Sequence, residues 1–386
     1  MTGDLAGKRV LVLGLGREGR ASIRYLRASV PSLHIAAADR LDGLDADTSA
    51  FLREHDIDSV HLGADYLDAV AGYEVIVRAP GIPPWLPTLE RAVASGARLT
   101  SNTHLFFAAA PGRVIGVTGT KGKSTTTSLI HHVLAAALPD VRLCGNFGFA
   151  PSVFLPDATP QTLFVMELSC HQLSDLDVSP DVAVVQDVVP EHLDYYRSFV
   201  EYVRAKQNIV LHQRPDDTVV YNAGAAIPRA LARSSQARRL AFSLDDFGND
   251  AAFVRDETIW VALPGTAPEP VLPVANVPVL GRFNLRPYGR QSRASGRCVT
   301  VSSSWAKRTA CATTTTASPR SRRRRRARYG PSLPAASSSS PAASTGDRTT
   351  ATSPALSSMP AYGRCCCCRA RASASGRRSS TPPAPM

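Results

Sequence analysis

The sequence predicts an α/β fold, with an N-terminal Rossmann-like domain followed by a central parallel-sheet domain of the P-loop type. Three observations predict it. Short Val/Ile/Leu runs, KRVLVLGLG, EVIVRAPG, RVIGVTG, TLFVMELS and DVAVVQDV, end in turns and alternate with stretches of helical period. These runs are apolar enough to be strands covered on both faces, as parallel sheets require. Two of them pass directly into glycine-rich loops that open helices, GLGREG near the N-terminus and TGTKGKST a third of the way along.

A chain of 386 residues leaves room for two or three domains. Its net charge of +12 suggests a nucleic-acid or membrane-surface binder, but the charge is confined to one end. Residues 287–386 hold 18 Lys and Arg against the single acid Asp347, which leaves 26 basic and 31 acidic residues, a net −5, in residues 1–286. The same segment contains no Ile or Phe and only Val299, Val301, Leu333 and Leu356 as branched aliphatics, too few to assemble a core. It carries the runs TTTT, RRRRR, SSSS and CCCC instead. One reading is a disordered Arg-rich tail that grips nucleic acid. The preferred reading is a frameshifted translation of a third domain, because Arg and Cys codons of a GC-rich gene, read one base over, become Ala and Leu codons. The expected division is a Rossmann-like substrate domain at 1–108, an ATP-binding domain at 109–286, and a tail at 287–386 in which the third domain is lost or disordered. No run of about eighteen apolar residues offers a membrane span, and MTGDLAGKR has no signal-peptide core, so a cytoplasmic protein without a membrane partner is expected. The two thiols of residues 1–286, Cys144 and Cys170, suit a reducing compartment and argue against a disulfide framework.

RVIGV, TGTKGKSTTT and SLIHHVLAAAL follow the strand, loop and helix order of a phosphate-binding loop. Backbone N–H groups along Gly119, Thr120, Lys121, Gly122, Lys123, Ser124 and Thr125 would face the phosphates of ATP. Gly119 and Gly122 let the backbone come close, Lys123 adds a cation, and the Ser124 hydroxyl can hold Mg²⁺. The general spacing wants glycine at 117, where this chain has Val117, so the loop is a variant. The plainer alternative, a turn that merely caps a helix, requires GKST to fall by accident at a strand-to-helix junction. Further upstream, Gly14, Gly16 and Gly19 with Asp39 twenty residues later form a fingerprint that by itself suggests a dinucleotide. A lone fingerprint of that kind is weak.

The TGTKGKST form of the loop resembles the Mur ligase family, the ATP-dependent amide-bond-forming ligases of peptidoglycan synthesis, and their folylpolyglutamate synthase relatives. MELSCHQL (166–173) is similar to the family's Glu-bearing strand end, which implies Glu167 as a Mg²⁺ ligand. DVVPEHLDYY (187–196) resembles the segment with a metal-binding His, here His192, and YVRAKQNI (202–209) the site of a carbamylated lysine, here Lys206. CGNFG (144–148) resembles a loop whose Asn, here Asn146, contacts substrate. VLGRFNLRPYGR (279–290) resembles a segment whose Asn, here Asn284, lies near adenine, although Phe283 and Pro287 replace the family's His and second Asn. Pro287 would also obstruct a helix interior.

Within the family, the member that adds glutamate to UDP-N-acetylmuramoyl-L-alanine has an N-terminal domain similar to this one, with a Gly-rich first turn, an acidic–basic pair (Asp39, Arg40) and a turn like RAPGIPP. The resemblance implies Leu15, Gly16 and Arg40 at the uridine end. It implies Ser124, Glu167 and His192 around metal, and Lys123, Glu167, His192 and Lys206 as the catalytic set. It further implies UDP-N-acetylmuramoyl-L-alanine and glutamate as substrates, an acyl-phosphate intermediate, and a monomer. Singly, Glu167 and His192 read as satisfied polar residues at strand ends and Lys206 as a solvated helix lysine. Cys170 reads as a small buried residue, and His171 receives no role. Because the third domain is unrecognisable, the chain as written is expected to bind ATP or the UDP-substrate weakly and not to ligate. Two other classes remain open: a ligase-derived binding protein with a nucleic-acid-binding tail, and a nicotinamide oxidoreductase, for which only GLGREG speaks. The Gly-rich N-terminal domain argues against folylpolyglutamate synthase.

Overall fold

The first Val/Leu run forms β1 (Arg9–Leu13), and the glycine-rich turn after it opens α1 (Arg17–Ser29). There follow β2 (His34–Asp39), α2 (Ala46–Glu54), β3 (Ser59–Leu62), β4 (Val75–Arg78), α3 (Pro87–Ala94) and β5 (Arg98–Ser101). The five strands make an all-parallel sheet in the order β3-β2-β1-β4-β5. Strand periodicity divides its apolar residues between two faces. Val10, Val12, Ile35, Val75 and Val77 pack with Ile23 and Leu26 of α1, whereas Leu11, Leu13, Ala36, Ala38 and Ile76 pack with Leu89 of α3. A Cβ at Gly19 would lie 1.8 Å from the Gly14 carbonyl oxygen, so only glycine allows α1 to leave the turn this tightly. The computed structural model describes residues 5–245, 251–263 and 265–277. Asn284, the departures at Phe283 and Pro287, and the basic tail with its frameshift and nucleic-acid readings lie outside the described residues.

The helix α4 (Asn102–Ala109) joins two cores, with Leu105 in the first sheet's cluster and Phe106 and Phe107 in the next. Beyond it come β6 (Arg113–Thr118), α5 (Lys123–Ala135), β7 (Val141–Gly145), β8 (Leu163–Glu167), α6 (Cys170–Leu173), β9 (Val182–Val185), α7 (Phe199–Leu211), β10 (Thr218–Asn222) and α8 (Ala226–Arg233). The strands β11 (Arg238–Phe242), β12 (Ala251–Arg255), β13 (Thr258–Ala262) and β14 (Glu269–Pro273) complete a sheet ordered β14-β13-β12-β11-β10-β9-β6-β8-β7. Its strands are parallel from β7 across to β12, and β13 and β14 are antiparallel. Cores again cover both faces: Val114, Phe164, Met166, Ala183 and Val185 on one, Ile115, Val117, Val165, Val182 and Val184 on the other. All five apolar runs read from the sequence are strands, and the fold is the doubly covered α/β architecture they predict.

The order of the second sheet decides where chemistry can occur. β6 has β8 on one side and β9 on the other, with Val117 in register with both Glu167 and Val184. The phosphate loop leaving β6, the carboxylate ending β8 and the segment leaving β9 therefore share one edge, at the carboxyl ends of parallel strands where the strand order reverses.

Candidate active site

The phosphate loop runs from Thr118 into α5, with Gly122 as the N-cap in the left-handed region at φ +82°. At Gly119 a Cβ would meet the Gln186 Cβ at 2.7 Å, so the loop can lie against β9's continuation only as glycine. Thr120 anchors it. Its N–H donates to the Asp187 carbonyl at 2.7 Å, and its buried hydroxyl lies 3.0 Å from the Val189 carbonyl and 2.9 Å from the Tyr202 hydroxyl. Thr120 is thus turned into the protein, whereas Ser124 and Thr125 are exposed on the first turn of α5. Lys123 folds back, donating to the Thr120 carbonyl at 3.0 Å, and Lys121 pairs with Glu191.

Glu167 ends β8 almost fully buried. Its Oε1 accepts from Asn146 Nδ2 at 2.8 Å, and its Oε2 is buried with no hydrogen-bond partner. A buried carboxylate oxygen left unpaired is costly unless a ligand completes it. Among the described residues no three His, Cys, Asp or Glu side chains converge into a ready cage for a metal. The unpaired Glu167 oxygen fits a hard divalent cation that takes its other ligands from phosphate oxygens and hydroxyls, as Mg²⁺ is usually held.

His192 stands at φ +56°, a left-handed conformation uncommon for a residue with a side chain. Its ring is 4.9 Å from that of His171 and its Nε2 is 4.0 Å from Glu191 Oε2. His171, for which sequence reasoning found no role, packs at 4.2 Å on Tyr195. Burial chiefly, with the charge of His192 next, draws its imidazole down to about 4, so it is neutral near pH 7. Lys206 projects from α7 into the interior, 1% exposed, with Nζ donating to the Gly119 carbonyl at 2.8 Å and lying 4.7 Å from the Tyr202 ring centre. Burial lowers its ammonium to about 8; Lys123 pushes the same way, while Glu191 and Glu167 oppose. Those mutual influences mean that Lys123, Glu167, Glu191 and Lys206 occupy one electrostatic neighbourhood, with His192 acting on Glu191.

The predicted uridine-end residues lie together on the other sheet. Leu15 is buried and its N–H donates to Asp39 Oδ2 at 2.6 Å; Gly16 is the N-cap of α1; Arg40 is exposed just past β2. Asn146, which the resemblance places with substrate, touches Glu167. Three side chains of the first sheet's domain, Arg17, Glu18 and Arg78, given no role by the sequence, tie the two sheets together. Arg17 reaches the 145–148 loop; Glu18 Oε1 accepts from Gln172 Nε2 at 2.7 Å; Arg78, fully buried, pairs with Asp175 at 2.7 Å. A local signal existed for Gln172, since Ser169 and Gln172 form the S-x-x-Q capping box of α6. None existed for its partner, 154 residues away.

Residues 117–286 match the Mur ligase middle domain. The chain is 37% identical over 270 residues to UDP-N-acetylmuramoylalanine–D-glutamate ligase of Symbiobacterium thermophilum, covering 67% of this chain and 57% of that protein. It is 38% identical over 284 residues to UDP-N-acetylmuramoyl-L-alanine–L-glutamate ligase of Salinispora tropica, covering 73% and 60%. A D-glutamate ligase of Acetivibrio thermocellus is 31% identical over 296 residues, covering 76% and 63%. The chain thus spans about three fifths of the length of these curated relatives. A variant phosphate loop and an orphaned carboxylate on the neighbouring strand coincide on one sheet edge, within the segment, residues 117–286, that matches the Mur ligase middle domain.

Proposed function

We propose that this chain carries the substrate and ATP domains of an ATP-dependent, amide-bond-forming ligase of the MurD type, whose reaction joins glutamate to UDP-N-acetylmuramoyl-L-alanine in peptidoglycan precursor synthesis, and that without a recognisable third domain it binds ATP weakly and does not complete the ligation. The observation that carries the proposal is the meeting, at one sheet edge, of the 119–125 loop, the unpartnered Glu167 oxygen and the buried Lys206. The relatives' printed names supply the substrates; both D- and L-glutamate occur among them, so the amino acid is proposed without its configuration. Residues 1–108 would hold the UDP end, through Leu15, Gly16 and Arg40, and residues 109–286 the nucleotide.

In this reading ATP phosphorylates the substrate carboxylate, and the amine of glutamate displaces phosphate from the acyl phosphate. The protein's part is positioning and charge neutralisation. Lys123 would release its contact with the Thr120 carbonyl to reach the β/γ-phosphates, while N–H groups at the start of α5 receive phosphate oxygens. Mg²⁺ held by Ser124, Glu167 and His192 would neutralise the phosphates, with Lys206, carbamylated as the resemblance implies, adding negative charge behind it. His171, neutral, would pack against His192 and restrict its ring.

The test is nucleotide binding by the full chain, measured apart from turnover. Lys123→Ala is expected to weaken ATP binding at least about tenfold, roughly 1.4 kcal/mol, in an equilibrium titration, with UDP binding unchanged. Absence of ATP binding, or an unaffected Lys123→Ala variant, would overturn the reading.

A further inference from the structure

Arg17, the first residue of α1, belongs by sequence to the glycine-rich turn of the first sheet, yet its side chain serves the second. Its Nη1 donates to the Gly148 carbonyl at 2.8 Å, and its Nη2 to the carbonyls of Gly145 at 3.0 Å and Asn146 at 2.9 Å. One guanidinium therefore grips three carbonyls, that of Gly145 at the end of β7 and those of Asn146 and Gly148 in the loop after it. Asn146 in turn bonds Glu167 twice, backbone N–H to the Glu167 carbonyl at 2.9 Å and Nδ2 to Oε1 at 2.8 Å. Farther along the same connection, Asn102 Nδ2 holds the Ser152 hydroxyl at 2.7 Å, so both anchors come from residues preceding the second sheet.

We propose that Arg17 is a positioning residue for the nucleotide site: it holds the 145–148 loop so that Asn146 occupies one oxygen of Glu167 and leaves the other turned toward a divalent cation. The inference rests on the reading of Glu167 as a Mg²⁺ ligand given above, and adds a dependence of that ligand on the opposite sheet. A planar fork reaches three carbonyls from two nitrogens; a lysine ammonium is a single point and cannot replace it. Groups that orient a ligating carboxylate commonly matter 10- to 100-fold to metal affinity.

The experiment uses the full chain, its Arg17→Met, Arg17→Lys and Asn146→Ala variants, and the double variant. In the ligand-free protein, Arg17→Met is expected to speed exchange of the Asn146 amide hydrogen about tenfold or more, since its bond to Glu167 loses the loop's anchor. In ATP titrations with MgCl₂ and with EDTA, Arg17→Met is expected to lose about tenfold of the Mg²⁺-dependent affinity and none of the metal-free affinity. Arg17→Lys should behave like Arg17→Met, and the double variant should be no worse than Asn146→Ala alone. The proposal is overturned by unchanged exchange at Asn146, by equal loss with and without Mg²⁺, or by rescue with lysine. If the wild-type chain shows no Mg²⁺-stimulated ATP binding, the ligase reading falls by itself, and the exchange measurement still decides whether Arg17 holds the loop.

Discussion

Glu18 lies between the two sheets where water scarcely reaches, and burial drives its carboxyl from the ordinary 4.5 up to about 7, against the hydrogen bond from Gln172 and the charges of Arg17 and Arg78. Between those two values the native state holds more protons than the unfolded chain. The stability contributed by Glu18 is therefore complete below about pH 4.5 and is lost as pH rises through 7, by at most about 3 kcal/mol. Urea midpoints of the wild-type protein should fall between pH 5 and 8 relative to Glu18→Gln, which keeps an acceptor for Gln172 and does not titrate. Parallel profiles would mean that the carboxyl titrates normally.

At the scale of elements, α7 matters most, since it delivers Lys206. Its buried residues, Tyr202, Ala205, Lys206, Ile209 and Val210, recur at the spacing of one helical face. Lysine at a core position of that stripe is what places its amine under the phosphate loop. Ser198 starts the helix with extended dihedrals and accepts the Glu201 N–H at 3.2 Å, while the Glu201 carboxylate accepts the Arg197 N–H at 3.1 Å. Ser198→Ala should cost about 1 kcal/mol by chemical denaturation. A loss below a few tenths would mean that tertiary packing alone sets where α7 begins.

For the molecule as a whole, the joint between the sheets is polar and internal. Arg78 ends β4 with no exposed side-chain surface, forks onto Asp175 through Nη2 at 2.7 Å and Nε at 3.2 Å, and reaches the Ile82 carbonyl at 2.6 Å and the His171 carbonyl at 3.3 Å. Tyr195 adds a bond to the Pro80 carbonyl at 3.1 Å, and Trp85 packs on Tyr195 and Tyr196. Arg78→Met would leave Asp175 largely desolvated without its partner, a loss of about 3–5 kcal/mol. Because the pair spans both sheets, urea unfolding followed by circular dichroism should also separate into two transitions. A single transition at the wild-type midpoint would show that the pair adds nothing to docking. Arg78→Met with Asp175→Leu should recover part of the loss, since the uncompensated charge is then gone.

The sequence by itself determined the strands, the two glycine-rich turns and the resemblance to the Mur ligases. Each of these is written locally, in apolar runs covered on both faces, in glycines where backbone must come close, and in GKST at a strand-to-helix junction. The Ser169–Gln172 cap is equally local, an S-x-x-Q spacing at the start of α6. Tertiary structure alone decided which way side chains turn and what they meet. Thr120 sits in the phosphate loop yet faces inward; Asn146 meets Glu167; Arg17, Glu18 and Arg78 belong by position to the first sheet and spend their polar groups on the second. The physical reason is separation. A hydrogen bond between residues 97 to 154 positions apart leaves no trace in the spacing of either segment, because the partners are set by how two finished sheets dock. Burial likewise exists only after docking, and it is burial that holds Glu18 near 7 and draws Lys206 down to about 8.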